Sequence, residues 1–104
     1  MISIFVGYDT KETVAYHVCV NSIIRTASVP VSITPLSLNL LKEYTETHTD
    51  GSNQFVYTRF LVPHLMNYNG CAIFIDGDMI VVEDIVKLLE LFDPNYAVQV
   101  VKHN

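Results

Sequence analysis

The stretch Ala72-Ile73-Phe74-Ile75-Asp76-Gly77-Asp78-Met79-Ile80-Val81-Val82 constrains this chain more than any other, because it sets two carboxylates one residue apart between two apolar runs. Ile73 to Ile75 and Ile80 to Val82 are the β-branched, aliphatic and aromatic types that fill a sheet core, and acids bordering such a core need a partner. Along a strand that continues through the motif, residues i and i+2 share a face. Asp76 and Asp78 then converge on one ion, and Gly77 leaves room for a ligand. Carboxylate oxygens suit a hard cation, Mn²⁺ or Mg²⁺.

The same letters carry a second reading, since Asp-Gly between apolar runs is also a two-residue hairpin signal. The local pattern leaves turn and metal site open. An EF-hand loop starting at Asp76 would need Gly at its sixth position and Glu at its twelfth, where the chain has Val81 and Lys87. Phosphotransferases of the haloacid dehalogenase type also end an apolar strand in Asp-x-Asp, with the first acid as nucleophile. Their pattern has Thr or Val two residues past the second acid, where this chain has Ile80, and little chain follows for their later motifs.

With 104 residues, half of them hydrophobic and 16% charged, the sequence reads as a single packed domain over 1–104. A net charge of -5 without a basic stripe argues against nucleic acid as a partner. It also sharpens the metal reading, because an acidic protein that binds phosphates needs positive charge from elsewhere. No apolar run approaches the roughly 20 residues of a membrane span, and Met1-Ile2-Ser3 does not open a signal peptide, so a cytoplasmic protein is expected. Cys19 and Cys71 are too few and too far apart for a disulfide framework or zinc cluster and read as reduced core residues.

Ile2 to Val6 reads as a first buried strand and Gly7-Tyr8-Asp9-Thr10 as the turn leaving it. Asp9 and Glu12 have capping-box spacing, and Ala15, Val18, Cys19, Ser22 and Ile23 repeat on one helix face. Arg25 suits that helix's negative end, and Ser28-Val29-Pro30 terminates it. Strand, turn and helix in this order open a βαβ unit, whose strand ends hold ligands in open α/β sheets. The Gly-x-Gly-x-x-Gly dinucleotide fingerprint is absent.

Val31 to Thr34 alternates as a second strand, which Pro35 either shortens or places at an edge. Leu36 to Leu41 has no clear period. Lys42 to Gln54 is a polar loop, and its His48 is either solvated or a ligand contact. Phe55 to Tyr68 is a second helix candidate interrupted by Pro63. Within it, Arg59 must find an anion: a nearby carboxylate such as Asp76, or a phosphate. Asp84 can cap a short helix carrying Ile85, Leu88, Leu89 and Leu91. Asp93-Pro94-Asn95 reads as a turn, and Tyr96 to Val101 as a last strand. Tyr8 and Tyr57 are the aromatics placed to leave the core.

Three segments in order resemble the nucleotide-sugar glycosyltransferases of the GT-A fold, in particular family 8 and its bacterial and viral relatives. They are Ile4-Phe5-Val6-Gly7-Tyr8-Asp9 leading into Ala15-Tyr16-His17-Val18-Cys19-Val20, then Tyr57-Thr58-Arg59-Phe60-Leu61-Val62-Pro63, then Ile73 to Val81 with Leu88 and Phe92 beyond. The fold this implies is α/β, a Rossmann-like nucleotide-binding half with a mainly parallel sheet flanked by helices. The resemblance implies that Asp76 and Asp78 hold Mn²⁺ or Mg²⁺ against a donor diphosphate, with Asp76, beside Gly77, also near the ribose. Val6, Gly7 and Tyr8 would receive uracil, Asp9 and Thr10 would flank it, and Arg59 would face the nucleotide and phosphates.

The implied activity is transfer of a hexose from a UDP-sugar to an unidentified acceptor. The alternative is a non-catalytic nucleotide-sugar module acting with a partner chain. Members of the family continue past the point matching Asn104 into a half that supplies a third metal ligand, usually His, and the acceptor site. His103 lies near that point without a motif to identify it. A sheet without its covering half exposes apolar surface, which leads to the expectation of a homodimer.

Overall fold

The computed structural model describes residues 1–38 and 54–102, with the chain path alone for 54–57. Leu40 and Leu41, the polar stretch with His48, His103, and the side chains of Phe55 and Tyr57 therefore lie outside the described residues. The elements are β1 (Ile2–Gly7), α1 (Thr13–Thr26), β2 (Val31–Leu36), a 3₁₀ segment (Gln54–Leu61), α2 (Val62–Leu65), β3 (Ala72–Ile75) and α3 (Val86–Leu89). The three strands form one parallel sheet in the order β2-β1-β3. The architecture is thus α/β and Rossmann-like, as the sequence led us to expect.

β1 is central, and its composition explains why. Ile4 pairs with Ile33 on one side and Ile73 on the other, and this row faces α1. Ile2, Ile4, Val6 and Ile75 close on Cys19 and Ile23 of α1 and on Ile85 to form the core. Ile4 and Ile23 have no exposed surface, and each such side chain contributes about 1.5–3 kcal/mol through burial. On the opposite face Phe5 aligns with Phe74, and the 3₁₀ segment packs over β1 and β2, burying Thr58 completely. Pro35 sits in β2 opposite Val6, and β2 is an edge strand, where a residue without an N–H is tolerated.

Several expectations are corrected. β3 ends at Ile75, so the run Ile80 to Val82 is not sheet core: Ile80 and Val82 are 65% and 82% exposed, and Val81 alone turns inward. The Val81 N–H bonds to the Ser22 hydroxyl at 2.8 Å instead of joining a ladder. The hairpin reading of Asp76-Gly77 fails, because β3 pairs with β1 in parallel and no strand follows it among the described residues. Tyr96 to Val101 is not a strand either. The Gln99 amide is tied to the Asp93 N–H and the Leu91 carbonyl, and Val98 and Val100 stand in solvent. Strand-forming residues without an adjacent edge to pair with do not make a strand.

Asp9 does not close a capping box. Its carboxylate takes the Lys11 N–H at 2.9 Å, a local turn bond that precludes a reach into the helix, and Glu12 occupies the cap position without a side-chain bond. The buried stripe of α1 is Tyr16, Cys19 and Ile23, and Val18 lies off it, 44% exposed. The expected second helix is helical but divided into the 3₁₀ segment and α2, with Pro63 in the first turn of α2, where its missing N–H costs nothing. Asp84 does serve α3: its carboxylate accepts the Val86 N–H and its carbonyl the Lys87 N–H, each at 3.1 Å. Of the apolar residues read onto that helix, Leu88 and Leu91 are exposed and Ile85 alone is buried. The Asp93 turn forms as expected, with its carboxylate on the Asn95 N–H.

Candidate functional site

In a parallel sheet all strands end on the same side. The chain leaves β1 toward β2 on one flank and reaches β3 on the other, so the topological switch lies between β1 and β3. The crevice outside the strand ends at such a point is where open α/β sheets bind ligands. Gly7-Tyr8-Asp9 leaves β1 there, and Asp76-Gly77-Asp78 leaves β3.

Gly77 joins the two. A Cβ at this position would collide with the Gly7 carbonyl oxygen, so the loop after β3 rests directly on the end of β1. The expectation that Gly77 leaves room for a ligand is thereby corrected, since the room is filled by main chain. Cys19 braces the loop from α1, its thiol directed at the Asp76 carbonyl at 3.9 Å. Burial pushes the Cys19 thiol pKa up, and the charge of Asp78 pushes it further.

The Asp76 carboxylate meets Arg59. Arg59 donates from Nη2 to Asp76 Oδ1 at 2.8 Å, and its guanidinium carbon lies 4.8 Å from the centre of the Phe74 ring. Of the two partners weighed for Arg59, the carboxylate is the one the structure brings to it. Phe74 and Asp76 both meet Arg59 and so lie on the 3₁₀ side of the sheet. β3 stops at Ile75, so strand alternation by itself carries neither Asp76 nor Asp78 onto that face. Phe74 was not singled out from the sequence, and it is the packing of Arg59 that reveals it.

On β1, Val6 is wholly buried in the core, so only its main chain could meet a ligand. The Tyr8 N–H continues the pairing with β2 by donating to the Leu36 carbonyl at 2.9 Å. Its ring meets Tyr16 edge-to-face, centroids 4.9 Å apart, and Tyr16 meets His17 in the same way at 5.3 Å. Burial, followed by the neighbouring Cys19 and Tyr8, raises the Tyr16 pKa. Asp9 is half-buried and engaged in its own turn, and Thr10 is exposed. The structure thus collects Gly7, Tyr8, Asp76, Gly77 and Asp78 at the carboxyl ends of β1 and β3, with Arg59 joined to them through Asp76. It adds Tyr16, Cys19 and Phe74, which packing alone reveals.

Among the described residues, no third His, Cys, Asp or Glu joins Asp76 and Asp78 in a group able to hold a metal. Two carboxylates nevertheless fit a Mg²⁺-like cation, which takes one or two protein carboxylates and completes its shell with waters and substrate phosphates.

Across 105 aligned residues the chain is 42% identical to Protein CDI of Arabidopsis thaliana, over 97% of its own length. It spans 40% of that protein. No protein-family model matches the chain, and no solved structure does. Among the described residues no helix is long and apolar enough to cross a membrane.

Proposed function

We propose that the chain is the nucleotide-sugar-binding domain of a metal-dependent glycosyltransferase, holding a UDP-sugar across the ends of β1 and β3 for transfer of its hexose to an acceptor. The observation that carries this reading is the placement of Asp76-Gly77-Asp78 against Gly7 at the switch point of a parallel sheet. Asp76 and Asp78 would hold Mn²⁺ or Mg²⁺, which when bound neutralises the charge gathering on the departing diphosphate. Tyr8, backed by Tyr16, offers an aromatic edge to the base at the end of β1. Arg59 supplies a planar fork matched to phosphate oxygens. None of these tasks needs a side chain to gain or lose a proton.

Calorimetric titration of UDP with Mn²⁺, with Mg²⁺ and with chelator tests the reading. Binding that requires metal and disappears in Asp78→Asn is the expected outcome, and no binding under any condition overturns it. Hydrolysis of UDP-glucose or UDP-galactose then separates a transferase from a module that holds the donor for a partner chain. A covalent aspartyl-phosphate at Asp76 would instead indicate phosphotransfer.

A further inference from the structure

The Arg59–Asp76 pair raises a question of its own. A carboxylate that serves a cation is here occupied by a guanidinium at 2.8 Å, so a cation arriving alone must displace it. Both side chains remain partly open, at 34% and 44% exposure, and an exposed pair is worth at most about 1 kcal/mol, so displacement is feasible and measurable. The guanidinium does not depend on Asp76 alone. It also lies 4.8 Å from the centre of the Phe74 ring, and Phe74 is held in β3 opposite Phe5. A cation over an aromatic face keeps a favourable contact as its hydrogen-bonding edge turns from one partner to another.

We infer that Phe74 and Arg59 form a swivel that ties cation binding to the diphosphate. In the observed arrangement Arg59 neutralises Asp76. When a diphosphate enters, Arg59 pivots on the Phe74 ring from the carboxylate to the phosphate oxygens, and Asp76 is released to the cation. The cation and the nucleotide therefore assist each other, because each removes the partner that the other would have to displace. By linkage the assistance is equal in both directions. Phe74 is a positioning residue in this scheme, acting on the diphosphate through Arg59. The inference rests on the proposed nucleotide site, but its first consequence, competition between Arg59 and a cation, can be read without any nucleotide.

The test is Mn²⁺ binding followed by the paramagnetic resonance signal of the free ion, with and without UDP, on the wild type, Arg59→Met, Phe74→Leu and Phe74→Tyr. In Arg59→Met, Mn²⁺ alone is expected to bind roughly five-fold more tightly, the fold-change equivalent to the largest contribution of so exposed a pair. The enhancement of Mn²⁺ binding by UDP should then shrink by the same factor, leaving what the phosphates contribute by coordinating the ion themselves. Phe74→Leu should weaken UDP binding a few-fold with Mn²⁺ present, and Phe74→Tyr should restore it, since Tyr keeps the aromatic face. Unchanged or weaker binding of Mn²⁺ alone to Arg59→Met overturns the swivel, as does a UDP enhancement undiminished by the substitution. Should UDP fail to bind the wild type while Arg59→Met still gains Mn²⁺ affinity, the competition at Asp76 holds and the nucleotide reading falls. Circular dichroism of each variant checks that the fold persists.

Discussion

At the scale of single residues, Gly77 constrains the site most tightly. Its missing side chain is required by the Gly7 carbonyl, and main chain in the central strand cannot yield as the tip of a flexible side chain would. Gly77→Ala is expected to cost about 1–3 kcal/mol, the range for forced overpacking, read as a lower urea midpoint at unchanged slope. An unshifted midpoint would mean that the loop does not rest on β1. Cys19 offers a second residue-level reading of the same loop. Because Asp78 adds to the effect of burial on the thiol, Asp78→Asn should lower the Cys19 pKa, followed through its Cβ chemical shift in a Cys71→Ser background. No change in that titration would place Asp78 away from α1. The Asp76-Gly77-Asp78 motif was legible in the sequence, and so was an Arg59–Asp76 pairing as one of two options. The reason for the glycine was not, because the close approach of residues 7 and 77 is set by strand order, which residue types do not encode locally.

At the scale of elements, α1 does more than cover the sheet. Ser22 donates to the Cys19 carbonyl at 2.6 Å and accepts the Val81 N–H at 2.8 Å, pinning the segment that leaves the site. Ser22→Ala leaves that N–H without its partner and should destabilise the fold by about 1 kcal/mol, measured by denaturant unfolding. The start of α3 carries a pH dependence. The Ser28 hydroxyl, ahead of the Val86 N–H, holds the Asp84 carboxyl below its ordinary range. A folded-state pKa depressed in this way contributes stability that is fully present above the unfolded value, about 3.9, and is lost as pH falls through the folded value. Ser28→Ala should raise the Asp84 pKa and move that loss to higher pH, which a carboxyl titration by NMR would record. β1, α1 and β2 were readable because their apolar residues follow the period of the element they form. Ile80 to Val82 and Tyr96 to Val101 were misread as strand for the converse reason. Their composition suits a sheet, but a strand exists only beside an edge, and these segments pair with none of the three strands.

At the scale of the whole molecule, those two segments contribute much of the exposed apolar surface that follows β3. Val82 and Val100 are more than four-fifths exposed, and Leu91, Tyr96 and Val98 are largely exposed as well. The sheet has a matching asymmetry. The outer edge of β2 carries Pro35, which blocks strand addition, whereas β3 offers Ala72-Ile73-Phe74-Ile75 without a proline or charge. A surface of this kind on an 11.8 kDa chain favours association, and a second copy brings the same uncharged segments. The net charge of -5 on each copy opposes contact, but over a distance of only about 8 Å at physiological salt. Self-association should therefore strengthen with salt, unlike an interface held by ion pairs. Light scattering coupled to size exclusion is expected to give twice the chain mass at micromolar concentration and above. Val82→Asp with Val100→Asp should return it to the monomer, since two exposed positions accept charge in a monomer within about 0.5 kcal/mol each but not in a dry interface. A wild-type monomer at every concentration and salt would exclude a second copy as the cover for this surface. Mn²⁺-dependent UDP binding that survives in the aspartate variant would place the site within one protomer, whereas its loss on dissociation would make the crevice between β1 and β3 depend on the partner.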